Sequence, residues 1–227
     1  MTAAVDDPVV AAGIVARSAG APRGAFQTVA EPASVGMSPE ALARVDSIVR
    51  AAIADSAASG AALAIGRHGR LVSLGGFGEL AWGSGRPVTP TSIFDLASVS
   101  KVVGTTTAAM MLAGEGALDL DAAVASYLPW WAEGDPRKEE VTVRQLLLHR
   151  SGLTPFRTWY FEISGLDAYK DAAANEALEY EPGTRTAYSD IGIMTLAWVL
   201  EEISGQPLDQ LLRERLWEPL EIGRAHV

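Results

Sequence analysis

The sequence predicts an α/β protein in which one N-terminal helix and a β-hairpin precede a longer, mostly helical lobe. Three observations carry that expectation. An amphipathic run follows Ser38, two strand-like runs are split by His68-Gly69, and from Ser98 onward apolar residues recur mainly at helical spacing. The order helix, hairpin, helices does not fit alternating parallel βαβ units.

Residues 1–36 are rich in Ala, Val, Gly and Pro without a sustained period, and read as a poorly ordered leader. The first helix is expected after Met37, with Ser38 as N-cap, Pro39 as first helical residue and Glu40 at the positive end of the dipole. Leu42, Val45, Ile48, Val49 and Ile53 then mark one buried face, and Ser59-Gly60 a stop. Ala62–Arg67 and Arg70–Leu74 read as strands, and the two-residue gap ending in Gly69 as a tight hairpin. Pro87, Thr89 and Pro90 mark a loop. The helical candidates are Ser98–Gly116, Leu120–Tyr127, Thr142–His149, Leu166–Leu178, Ile191–Ile203 and Leu208–Leu216.

Bulk properties exclude several functions. The formal net charge is -10, and no Lys/Arg-rich stripe offsets it, so nucleic acid is not an expected partner. The chain has no cysteine, which removes disulfides, thiolate catalysis and cysteine-ligated zinc. His68, His149 and His226 lie far apart without ligand spacing, so neither a metal nor any other cofactor is expected. No apolar stretch is long enough to span a membrane. Asp6 and Asp7 stand where a signal peptide carries positive charge, so the chain as written reads as cytoplasmic.

The chemistry concentrates at Ser98-Val99-Ser100-Lys101. A serine hydroxyl needs a base within hydrogen-bonding reach, and positions i and i+3 share one helix face. Partial burial and the positive helix end should lower the Lys101 pKa, and the Ser98 N–H can help to hold an oxyanion. Taken alone, the pair also fits a helix cap beside a surface lysine. Lys101 is nevertheless flanked by apolar residues, and neither Lys138 nor Lys170 has a serine three positions earlier.

The longer pattern resembles the serine β-lactamase and penicillin-binding-protein-like superfamily, especially its class C and esterase-like branch. The matching segments are Ile93–Lys101, Gly116–Asp121, Tyr127-Leu128-Pro129, Leu146–Leu153, Glu181–Thr184, Tyr188-Ser189-Asp190 and Glu218-Pro219-Leu220. The resemblance runs from about Met37 to Leu220, with the motifs in family order. It implies a β-lactamase/transpeptidase-like fold for an incomplete domain at 37–220, with the C-terminal strands and helix of its sheet missing.

The resemblance also implies roles. Ser98 matches the nucleophile, Lys101 its paired lysine, and Tyr188 the tyrosine that assists proton transfer. Asp190 stands where the family has Asn. A carboxylate there accepts but cannot donate, and it can hold Lys101 protonated, which favours an esterase or peptidase over a dedicated β-lactamase. Asp190 and Trp159 are the expected substrate-binding residues, with Tyr160 and Phe161 beside Trp159. His149, in a His-x-Ser-Gly-Leu segment that is structural in the family, is left outside the site. The family's third motif, Lys-Thr-Gly or His-x-Gly, does not follow Tyr188.

Residues 221–227 resemble the in-frame translation of a sequencing adapter and read as a non-native tail. The implied activity, for the parent protein, is that of a serine hydrolase acting through an acyl-enzyme on an ester, amide or D-amino-acid peptide, and the 227-residue chain itself is expected to be inactive. The partner is therefore a small-molecule or peptide substrate. An inert fragment, or a binding or assembly member of the superfamily, is the alternative. A periplasmic or secreted parent is the alternative location.

Overall fold

The structure is a computed structural model, and it describes residues 30–220 and 222. The expected leader up to position 29 and most of the expected tail lie outside the described residues. The chain divides into two compact units, with the boundary between Ile93 and Phe94.

In the first unit, order begins before Met37. A short 3-10 turn spans Pro32–Val35, Ala30 and Val35 are buried, and the Ala30 N–H donates to Leu71 O at 2.7 Å. Helix α1 spans Pro39–Ala54, and the Ser38 side chain accepts from the Ala41 N–H as an N-cap. Its apolar face is only partly covered: no residue of α1 is buried and Ile48 is exposed. The physical reason is the narrow surface beneath it, since this unit's sheet has two strands among the described residues.

Those strands are β1 (Gly60–Arg67) and β2 (Arg70–Gly78), paired antiparallel. His68 and Gly69 both take positive φ, 52° and 70°, which matches the right-handed twist of a hairpin. β2 runs past Leu74 because Gly75, Gly76 and Gly78 stay in the ladder. Gly76 is required by close approach, since a Cβ there would meet the Val88 carbonyl oxygen at 2.2 Å.

The second unit is helical. A π-helical turn at Lys101–Thr106 runs into α2 (Thr107–Gly114). α3 (Val124–Tyr127), α4 (Val143–Leu147), α5 (Leu166–Asn175), α6 (Asp190–Ser204) and α7 (Leu208–Leu212) follow, and a second π-turn covers Arg213–Trp217. α6 is the central element. Ile191, Leu196, Val199 and Leu200 are buried on it, and it packs against α2, α3, α4 and α7. The core around it includes Ala108, Leu112, Trp131, Leu146 and Leu153.

A lysine is sealed inside this unit. Lys138 has no solvent exposure, and its ammonium donates to Ala173 O and Ala174 O at the end of α5, both at 2.8 Å. It also stands over the Trp131 ring at 5.1 Å. Burial pushes its pKa down to about 8. Nearby, Arg137 clamps Asp135 at 2.6 Å and holds its carboxyl far below the usual carboxylate range, even though burial acts the other way.

Candidate active site

Three stretches of the second unit build the site: the turn at Ser98, the segment from His149 to Pro155, and the first turn of α6. Ser98 lies in the turn that leads into the π-turn at Lys101. The residue before it, Ala97, has a φ of 43°, a left-handed conformation that costs an alanine about 1 kcal/mol or more. The Asp95 carboxylate supports that bend by accepting from the Ala97 N–H at 2.8 Å. The helix then widens into its π-turn at Lys101, where a regular α-helix was expected. Such turns recur at functional sites.

The Lys101 ammonium donates to Ser98 Oγ at 3.0 Å and lies 2.9 Å from Asp190 Oδ1. The latter contact is an ion pair outside hydrogen-bond geometry, with Oδ1 itself enclosed. The same ammonium stands 5.3 Å from the centre of the Tyr188 ring. Ser98, Lys101, Tyr188 and Asp190 therefore converge, although Tyr188 and Asp190 are about ninety residues further along the chain.

The expected lowering of the Lys101 pKa is not found. Burial does lower it, but Asp190 and Tyr188 outweigh burial and hold the ammonium above the ordinary lysine value. The side chain is 22% exposed, so burial is too shallow to win. Interaction with Ser98 first, and then with Lys101, holds the Tyr188 phenol below the ordinary tyrosine value. The two groups are thus pushed in opposite directions.

His149 is the residue whose place the sequence did not reveal. Its Nδ1 accepts from the Ser189 N–H at 3.1 Å, which leaves the ring proton on Nε2. The ring lies 4.6 Å from that of Tyr188, and burial followed by the Lys101 charge pushes its pKa down. In this arrangement His149 accepts through Nδ1 and packs its ring beside Tyr188. Its left-handed φ of 54° was the one local cue, and a sequence does not display it.

The segments flanking Tyr188 are laced together. Ala187 N–H donates to His149 O at 2.9 Å, Ser189 Oγ to Thr154 O at 2.7 Å, and Asp190 N–H to Pro155 O at 2.7 Å. Gly152 is obligatory in this lacing, because its φ is 91° and a Cβ would meet Tyr180 O at 2.5 Å. Beyond Pro155, Trp159 is half-buried edge-on to Tyr169 at 6.0 Å. Phe156, Tyr160 and Phe161 are exposed on the same segment. The described residues hold no group of His, Asp and Glu side chains arranged to bind a metal, and none of their helices is long and apolar enough to cross a membrane.

The β-lactamase family model matches residues 45–227. The chain is 31% identical over 200 residues to an N-acetylmuramyl-L-alanine amidase of Bacillus subtilis (strain 168), covering 80% of this chain and 45% of that protein. It is 37% identical over 169 residues to penicillin-binding protein 4 of Amycolatopsis lactamdurans, covering 73% and 44%. Among solved structures it resembles EstCE1, a hydrolase with promiscuous acyltransferase activity. That match has a TM-score of 0.69 at 28% identity, over 80% of this chain and 52% of that one. The chain spans less than half the length of these curated relatives. A family model that matches most of the chain, and a fold shared with penicillin-binding-protein-like and esterase-like hydrolases, show that the chain belongs to the β-lactamase family of serine hydrolases.

Proposed function

We propose that this chain carries the acylation centre of a serine hydrolase that opens esters, amides or D-amino-acid peptides through an acyl-enzyme on Ser98. The observation that carries the reading is the Lys101 ammonium held between Ser98 Oγ and Asp190, beside the Tyr188 ring. Lys101, held protonated by Asp190, is a poor base and a good electrostatic anchor. Tyr188, with its lowered pKa, is the base.

Tyr188 Oη takes the Ser98 proton as Oγ attacks the substrate carbonyl and the C=O pair moves onto oxygen. The tetrahedral centre collapses, the bond to the leaving group breaks, and Tyr188 returns the proton to the departing alcohol or amine. Water then attacks the Ser98 ester, gives its proton to Tyr188, and releases the acid as Ser98 is reprotonated. Among the described residues no group accepts the Ser98 N–H, so it is free to hold one face of the oxyanion. The segment carrying Phe156, Tyr160 and Phe161, with Trp159 as its packed base, receives the apolar part of the substrate.

The test is labelling with a fluorophosphonate, read by intact mass and peptide mapping. One adduct on Ser98 is expected, none on Ser98→Ala, and labelling on Tyr188→Phe slowed by about 10²-fold or more. The labelling rate should rise with pH through a pKa below 10, and Tyr188→Phe should lose that rise. Undiminished labelling of Ser98→Ala would overturn the assignment.

A further inference from the structure

Tyr188 is half exposed, so its own packing does little to fix the phenol against Ser98. One residue brackets it. His149 O accepts from the Ala187 N–H at 2.9 Å, and His149 Nδ1 accepts from the Ser189 N–H at 3.1 Å. The N–H groups on both sides of Tyr188 therefore end on the same residue. The imidazole also lies against the phenol ring, with 4.6 Å between centres and a tilt of 41°. His149 holds this place at a φ of 54°, a left-handed conformation uncommon for any residue with a Cβ. Ser189 is sealed from solvent, so no water can replace Nδ1 as the partner of its N–H. A proton on Nδ1 would turn the acceptor into a donor and set two donors face to face.

We infer that His149 is the positioning residue of Tyr188, and that it acts only as the neutral imidazole with Nδ1 unprotonated, so that one proton taken up in acid loosens the tyrosine and slows acylation. This role rests on the acyl-enzyme reading above and adds to it a residue with no part in the proton transfers. The groups facing the ring are Lys101 from the π-turn, and Tyr188 and Asp190 from the entry to α6. Lys101 and Asp190 form a pair at 2.9 Å, and their charges act on His149 in opposite senses. Arg150, next along the chain, gives its guanidinium to Gly183 O. Burial, followed by the Lys101 ammonium, outweighs Asp190 and keeps the ring neutral to a pH below the ordinary histidine value of 6.5. The competent form is therefore fully present at neutral pH and is lost as pH falls below that value.

The test is the pH profile of fluorophosphonate labelling at Ser98, read by intact mass. With Tyr188 as the base, the rate in the unaltered chain should fall about tenfold per pH unit through neutrality. Below the histidine transition a second proton enters, and the fall should steepen to about a hundredfold per unit. His149→Asn places an amide Oδ1 where Nδ1 stood, tolerates the left-handed φ and cannot titrate. It should label within about threefold of the unaltered chain at neutral pH and lose the steepening. His149→Phe keeps a ring beside Tyr188 but offers no acceptor, and should label about tenfold more slowly, the loss of one buried hydrogen bond. Asp190→Asn should keep the steepening, moved to lower pH, which separates His149 from the carboxylate that faces it.

Three results overturn the inference: an unsteepened profile in the unaltered chain, a steepening that survives in His149→Asn, or one that is lost in Asp190→Asn. Labelling of His149→Phe at the unaltered rate overturns it as well. Should that variant fail to fold, the profile of His149→Asn decides alone. In each case a Ser98 adduct leaves the acyl-enzyme reading standing. Absence of any Ser98 adduct overturns both.

Discussion

The two units of the chain bury their apolar residues to different depths. The hairpin unit centres on Ala30, Val35 and Val72, with Met37, Leu42 and Ile65 partly covered around them. The helical unit seals Trp131, Leu146, Leu196 and even a lysine from water. Every residue of the proposed acylation centre belongs to the second. The contrast teaches that the proposed centre stands on a deeply packed unit while its own side chains stay partly open to solvent, and that the hairpin depends on turn geometry and close backbone contact.

That contrast can be broken most directly from the core. Leu196→Ala, at a fully buried position of α6, should cost about 2–5 kcal/mol in denaturant unfolding followed by tryptophan fluorescence. Leu42→Ala in α1 should cost less than half as much, because Leu42 is only partly covered. Equal losses would show that the units are equally well packed.

Backbone approach should matter more in the hairpin. Gly76→Ala drives a Cβ onto the Val88 carbonyl and is expected to cost about 1–3 kcal/mol, read as faster amide exchange in β1 and β2. Unchanged exchange would mean that the Val88 loop moves aside freely.

Lys138 sharpens the comparison through pH. Its folded pKa of about 8 lies below the unfolded value of about 10.4, so between these values the unfolded chain binds more protons. Its contribution to stability therefore rises with pH across that window. Lys138→Met should lose the rise and, at neutral pH, cost about 1–2 kcal/mol, because the two freed carbonyls at the end of α5 outweigh the relief of removing a buried charge. A variant whose pH slope matches the unaltered chain would show that Lys138 titrates normally.

The smallest effect is expected at the exposed pair Arg144–Asp121. Asp121→Asn should leave the denaturant midpoint nearly unchanged and show no dependence on salt above about 0.3 M.

Much of the local structure was legible. Ser38 caps α1 and His68-Gly69 turns the hairpin, both through preferences carried by neighbouring residues, and α6 covers the expected Ile191–Ile203 run with one residue more at each end. Leu120–Tyr127 shrank to α3 because the Val124 N–H donates to Val141 O and the Val143 N–H to Ala122 O, pairings made with residues far along the chain. The four-residue convergence at Ser98 followed the expected motif. The direction of the Lys101 shift did not follow from the helix alone: the Asp190 carboxylate 2.9 Å away and the Tyr188 phenol together outweighed partial burial. His149 was set aside as structural, and its contact, a ring nitrogen accepting from a backbone N–H forty residues on, is one that no local motif displays.

The π-turn at Lys101–Thr106 has a consequence for how the chain tolerates length change. A wide turn holds one residue more than α-helical phasing allows, and it works as a phase shifter between Ser98 and the buried row of Ala108, Ala109 and Leu112. Deleting one residue within it restores ordinary phasing but swings the Ser98–Lys101 face by about 100° relative to that row. A helix improved by the usual rules would then carry its serine away from Tyr188, and a better helix would undo the proposed centre.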